Sequence, residues 1–172
     1  MTVVPDRSPG DDVGSSASGT GELSIVVDIA NVMGARADGW WKDRAGAAAR
    51  LCREVGGLSR RGLAASDLPA GLAGVAGDGD RAYPHWVLVL EGAARQAARI
   101  PEEGSESHQS SPGPGPVARL VLAPGPGDDT IATQARDLQG YRLVVTADRE
   151  LRRRCEQAGA MIAGPRWLLG LL

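Results

Sequence analysis

Residues 25–34 read IVVDIANVMG, a single carboxylate set inside an apolar run. The stretch LSIVVD (23–28) is β-branched and apolar on both faces, the pattern of a strand buried on two sides in a parallel sheet. Four more runs share it: WVLVLEG (86–92), ARLVLAP (118–124), YRLVVTAD (141–148) and AMIAG (160–164). Helical patterns separate them, at KDRAGAAARLCREV (42–55), DDTIATQARDL (128–138) and DRELRRRCEQAG (148–159). Gly159 suits a helix C-terminus, and Pro165 opens a last helix in PRWLLGLL (165–172). Strands alternating with helices predict an α/β fold, one doubly wound domain with a mainly parallel sheet of about five strands. The Gly-rich segment 56–85 predicts one helix around 60–74 and loops.

Length and charge bound the rest. A chain of 172 residues fits one domain with flexible additions and can bury a core without staples. No apolar run approaches the roughly 18 residues of a membrane span, and the first residues lack a secretory pattern. Cys52 and Cys155 sit in helical patterns without metal-ligand spacing, which argues against a disulfide scaffold or a zinc module. The cytoplasm is the expected compartment. Residues 1–21 and PEEGSESHQSSPGPGP (101–116) are low in complexity and predict a disordered tail and an inserted mobile loop carrying His108. The folded part is then 22–172. The net charge is −2, from 19 Lys+Arg and 21 Asp+Glu. The tail holds three acids, Asp6, Asp11 and Asp12, and one base, Arg7, so the remainder balances at 18 against 18. Such a domain does not bind nucleic acid through bulk charge. Of the basic residues only Lys42 is Lys, a bias that coding composition explains as well as phosphate recognition does.

Where the acids fall is more informative. Ligands of an open parallel sheet bind beyond the carboxyl ends of its strands. The first strand ends on Asp28, the second on Glu91 and the fourth on Asp148, while the third leads through APGPG to Asp128 and Asp129. All five face one edge. Each has a plainer reading. Asp128 and Asp148 stand where helix N-caps stand, Asp129 suits the helix dipole at the first helical position, and Glu91 suits an exposed strand end. Asp28 resists such a reading, because its surroundings are apolar and the next strong helical pattern begins some fourteen residues later. An unpaired carboxylate there is costly.

Two carboxylates about 5 Å apart repel by roughly 3 kcal/mol at an effective dielectric near 20. Several converging acids therefore call for a cation, and an all-oxygen set favours Mg²⁺ or Mn²⁺. Such ions activate water and neutralise charge during displacement at a phosphodiester. Metal would also let a neutral protein accept a polyanion at an acidic edge.

These residues resemble the PIN-like domain family, closest to its NYN branch of metal-dependent ribonucleases. The resemblance runs over about 23–164, roughly four fifths of the chain, in four motifs. VVDIAN (26–31) is similar to the family's strand-one D-x-x-N, matching Asp28 and Asn31. VLEG (89–92) resembles a V-F-D-G-like strand end, with Glu91 in place of Asp. GDDTIATQA (127–135) resembles the acidic helix opening, and VVTADREL (144–151) resembles V-V-T/S-x-D-R, matching Thr146, Asp148 and Arg149.

The resemblance implies a parallel sheet in the order 3-2-1-4-5 and a Mg²⁺ or Mn²⁺ site. Asp28 and Asp148 would be ligands, with Asp128 or Asp129 contributing directly or through water. Asn31 would orient Asp28 or touch substrate, and Thr146 would support a metal water or a phosphate. Metal-activated water would be the nucleophile, so neither His nor Lys is needed as base. The substrate would be RNA, cleaved internally, and an antitoxin-like protein partner belongs to the same picture. The chain departs from the pattern in Glu91, in the 101–116 insertion and in lacking a basic extension. Two other function classes fit the residues: a non-catalytic module that binds RNA or a protein, and a phosphohydrolase of small nucleotides. The latter lacks both a Nudix box and a strand-one D-x-D, since residue 30 is Ala. Outside the motifs, DGWWKDR (38–44) follows the first strand. Trp40 and Trp41 either stack on bases, with Lys42 and Arg44 on phosphates, or one Trp covers the core and Lys42 begins a helix. Arg152 and Arg153 read as a solvated helix face.

Overall fold

The structure, a computed structural model, describes residues 21–76, 79–99 and 118–172. The expected tail, apart from Gly21, and the expected loop at 101–116 with His108 lie outside the described residues. In chain order the elements are β1 (Leu23–Asp28), α1 (Ile29–Gly34), a 3₁₀ turn (Trp40–Lys42) and α2 (Arg44–Arg61). A small hairpin follows, made of β2 (Leu63–Ala64) and β3 (Arg81–Ala82), with 3₁₀ turns at Ala65–Asp67 and Ala70–Ala76 between its strands. Then come β4 (His85–Leu90), a 3₁₀ helix (Gly92–Arg99), β5 (Arg119–Leu122), α3 (Gly127–Asp137), β6 (Tyr141–Val145), α4 (Arg149–Gln157), β7 (Met161–Ala163) and α5 (Pro165–Leu169).

Five strands form one sheet in the order β5-β4-β1-β6-β7, every neighbouring pair parallel. Alternation along each strand divides the core into two layers. Ile25 and Val27 of β1, Leu88 and Leu90 of β4, and Leu143 and Val145 of β6 pack with α1, α2 and α5. Val26, Val87, Val89 and Val144 point the other way, onto Ile131 and Ala135 of α3 and Leu151 and Cys155 of α4. Helices on both faces explain why the central strands show no polar face. Among the described residues no helix is long and apolar enough to cross a membrane.

The fold departs from the sequence reading in three places that matter. First, α1 begins directly after Asp28, where a loop of about fourteen residues was expected. Ile29, Val32 and Met33 are its buried stripe, at the i, i+3, i+4 spacing of a helix face. Second, α2 runs on to Arg61 and stops at Gly62, and the expected helix around 60–74 is replaced by the hairpin and two 3₁₀ turns. Third, β5 is not buried on both sides. Leu120 and Leu122 are 42% and 50% exposed, because β5 is the rim of the sheet, and these two side chains lie on the face opposite α3, in register with Leu88 and Leu90. The helix-terminal expectations hold: Pro165 is at the start of α5, and Gly159, at φ +81°, follows α4 in the left-handed conformation that favours glycine.

Candidate functional site

Parallel pairing brings the carboxyl ends of β1, β4 and β6 to one edge. Val27 is in register with Val145, which sets Asp28 beside Thr146, and Asp28 is in register with Val89, two residues before Glu91. By the two-residue alternation of a strand, Asp28 shares a face with Val26, the face covered by α3 and α4. Both helices follow strands that end at this edge, so their first turns, with Asp128 and Asp148, begin beside it.

Asp28 is 7% exposed and is the N-cap of α1. Its Oδ1 accepts the backbone N–H of Asn31 at 3.0 Å, and its Oδ2 accepts the hydroxyl of Thr146 at 2.9 Å. Capping thus does explain part of Asp28, contrary to the expectation drawn from the missing helix. Thr146 is fully buried, and its Oγ1 also accepts the backbone N–H of Asp148 at 3.2 Å. Its hydroxyl therefore holds Asp28. The side chain of Asn31 crosses to the β6 end, where its Oδ1 accepts the N–H of Ala147 at 2.8 Å. Asp148 caps α4 through Oδ1, which accepts from Leu151 at 2.8 Å. The result is a hydrogen-bonded bracket joining two motifs 118 residues apart.

The other acids sort unequally. Asp128 is not an N-cap. Helix α3 starts one residue earlier, at Gly127, and its N-cap Pro126 offers no side-chain acceptor. Glu91 supplies one from β4, its Oε2 accepting the N–H of Gly127 at 2.5 Å. Glu91 is thus tied to the first turn of α3 and is not a free strand end. Asp129 sits two positions further along α3 than expected and turns away to Arg154 of α4, at 2.8 Å. Arg154 was not singled out from sequence, because only the packing of α3 on α4 brings it there. Arg149, the first residue of α4, is exposed and has no hydrogen bond or ion pair among the described residues. Trp40, Trp41, Lys42 and Arg44 lie beyond the other end of α1. Helix α2 begins at Arg44, not at Lys42, with Asp43 as its cap.

Electrostatics couple the acids at this edge. Burial pushes the Asp28 carboxyl up from 3.8 to about 6; the bonds from Asn31 and Thr146 oppose this, and the charges of Asp128 and Glu91 add to it. Asp128 is also raised, by burial first, then by Asp148 and Glu91, with Arg154 acting against them. Asp28 and Asp128 are thus the two carboxyls held up, by burial first and then by the like charges of their acidic neighbours, Asp129 among those acting on Asp128. Among the described residues no three His, Cys, Asp or Glu side chains form a ready-made metal cage. The donor set nevertheless suits a hard divalent ion: Asp28, Asp128, Asp148 and Glu91 are all carboxylates, and Asp128 has no hydrogen bond holding its oxygens among the described residues. No protein-family model, curated protein or solved structure matches the chain.

The raised Asp28 pKa has a measurable consequence. An unfolded Asp28 loses its proton near pH 3.8, the folded one near 6, so the native state binds the extra proton between them. Stability from this group is therefore lost as pH rises through that window and stays low above it. The drop expected is on the order of 3 kcal/mol. Urea denaturation of the metal-free protein at pH 4 to 7, compared with Asp28→Asn, isolates it. Equal slopes for the two proteins would exclude a desolvated carboxylate.

Proposed function

We propose that this chain is a metal-dependent phosphodiesterase, an endoribonuclease of the PIN-like type. The observation that carries this reading is the bracket at the carboxyl edge. Asp28 and Asn31 from one motif bond to Thr146 and the Ala147 backbone from the other, and the acids around them repel one another. The sheet order supports the same reading. Counted along its own five strands, β5-β4-β1-β6-β7 is the 3-2-1-4-5 arrangement that the resemblance implies.

Asp28, Asp128 and Asp148 would hold Mg²⁺ or Mn²⁺, with Glu91 as a further oxygen donor. The ion, when bound, supplies a Lewis acid that neutralises phosphate charge and makes a water acidic enough to attack phosphorus. The chain's own residues do the positioning. Thr146 and the Asn31 N–H fix both oxygens of Asp28, so that carboxylate needs no reorganisation as charge develops. Asp148 is fixed by its cap, and the exposed guanidinium of Arg149 beside it suits a phosphate oxygen of RNA. Arg154 keeps Asp129 out of the set.

The direct assay uses single-stranded and hairpin RNA, labelled at one end, with purified full-length protein. Internal cleavage is expected in Mn²⁺, absent in EDTA, and lost in Asp148→Asn, which keeps a good capping side chain. Cleavage persisting in both Asp28→Asn and Asp148→Asn would sink the proposal. A second reading is favoured by one observation, the lack of a ready-made cage among the described residues. Under it the chain is a non-catalytic module for RNA or a protein partner. Calorimetric titration with Mn²⁺ separates the two, since only the enzyme requires the ion to bind.

A further inference from the structure

We infer that Trp40, Trp41, Lys42 and Arg44 form a stacking platform for a base of single-stranded RNA, upstream or downstream of the acidic edge. The inference rests on the ribonuclease reading for its choice of ligand, and on the following geometry for the site itself. Trp41 is 59% exposed, the most exposed of the chain's large hydrophobic residues among those described. It does not dangle. It lies in the 3₁₀ turn Trp40–Lys42, entered through Gly39 at φ +77°, a left-handed conformation in which a side chain is strained. Trp40 packs on the core beneath it. The two indoles meet edge to face, with centroids 6.2 Å apart and planes at 84°, so Trp40 props Trp41 from one side.

Two cations stand beside the indoles. The guanidinium of Arg44 stands over the Trp40 ring at 5.3 Å from its centroid, a cation–π contact that orders the side chain without cancelling its charge. Neither Lys42 nor Arg44 forms an ion pair among the described residues. Asp38 and Asp43 flank them, still charged, while accepting the Trp40 N–H at 3.2 Å and the Gly46 N–H at 2.8 Å, so formal charge balances over the segment and the exposed indole sets the contact. An exposed, braced indole beside two unpaired cations is the combination that takes a base face and its phosphates.

Position fits a strand that also reaches the acids. A Cβ on Gly34, the last residue of α1, would lie 3.9 Å from Cζ2 of Trp40. Helix α1 runs from the Asp28 cap to Gly34, a rise of about 9 Å, and the platform stands beyond its far end.

The test uses full-length protein carrying Asp28→Asn, so that bound RNA is not consumed, in Mg²⁺ buffer. The probes are a fluorescein-labelled ten-nucleotide single-stranded RNA, read by anisotropy, and inorganic polyphosphate as a base-free competitor. Adding Trp41→Ala is expected to weaken RNA binding about tenfold, the scale of one lost base stack. Trp41→Phe should recover most of that loss, and the polyphosphate affinity should not follow the indole. Unchanged RNA affinity in Trp41→Ala, an equal loss for polyphosphate, or no RNA binding in any form would overturn the platform, the first leaving Trp41 for a protein partner. The two proposals fail separately. Trp41-dependent binding without Mn²⁺ cleavage by the wild-type chain removes the nuclease and keeps the platform, while Asp28-dependent cleavage with Trp41-independent binding does the reverse.

Discussion

Asp28→Asn is expected to yield a protein more stable than wild type at pH 7 that has lost RNA cleavage by at least about a hundredfold, the scale of removing one preorganised charge from an active site. Both effects have one cause. The carboxylate is 7% exposed and ionises only near pH 6, so holding it charged at neutral pH costs the metal-free fold on the order of 3 kcal/mol. Asn has the same shape and caps a helix as well as Asp. Its oxygen still accepts the Asn31 N–H, and its amide donates to Thr146 Oγ1, whose hydroxyl has two acceptor lone pairs. Neutralisation thus reverses the Thr146 bond, leaving its buried hydroxyl proton without that acceptor at about 1 kcal/mol, a smaller loss than the desolvated charge it removes together with the ligand. Urea denaturation at pH 7 without divalent ions, beside the cleavage assay in Mn²⁺, checks both halves. A destabilised variant would mean that the charge is not what burial opposes.

Thr146→Val is expected to be the more damaging change to folding, although it alters the shape of the side chain little. The hydroxyl has two partners, donating to Asp28 Oδ2 and accepting from the Asp148 N–H, and it is fully buried. Valine leaves a buried carboxylate oxygen and an N–H unsatisfied, at a cost of about 2–4 kcal/mol. Thr146→Ser keeps the hydroxyl and loses only a buried methyl, about 1 kcal/mol. The valine variant should also ionise Asp28 at still higher pH, since the Thr146 bond is one of the two that hold that pKa down. Denaturation midpoints for the three proteins measure the difference. Equal losses for Val and Ser would assign Thr146 to packing alone.

How these positions were read from sequence depends on what kind of information each needs. Asp28 and Asp148 were legible because a strand end marks an edge, and parallel pairing carries all such ends to the same side. The layers were legible for a similar reason, since apolar runs without a polar face require cover on both sides. Helix α1 was hidden because the apolar run of β1 passes into it without a break. Its spacing of Ile29, Val32 and Met33, and the Asp before it, were nevertheless present. That omission made Asp28 look unexplained when it is partly a cap. The exposure of β5 depends on which strand lies at the rim, and the run ARLVLAP carries no mark of its rank in the sheet.

The bracket itself lay beyond reach, for a physical reason. That Thr146 donates to Asp28 and Glu91 caps α3 from β4 are facts of register and packing between segments far apart in the chain. The resemblance implied that Thr146 supports a metal water or a phosphate, and its burial and its bond to Asp28 Oδ2 are visible only in the fold. Asp129 shows the same limit. It is equivalent to Asp128 in composition, yet one position along α3 turns it onto Arg154 and out of the acidic set.

On the proposed reading, Asp28, Asp128 and Asp148 together bind one hard divalent ion. A crystal of the full chain soaked in Mn²⁺, with anomalous data collected near the manganese edge, tests it most directly. A manganese peak is expected at the carboxyl edge of the sheet, within bonding distance of oxygens from Asp28, Asp148 and Asp128, and no such peak in an Asp28→Asn crystal. An edge without manganese in the wild-type crystal, with Asp28 still held by Thr146 and Asn31, would contradict it.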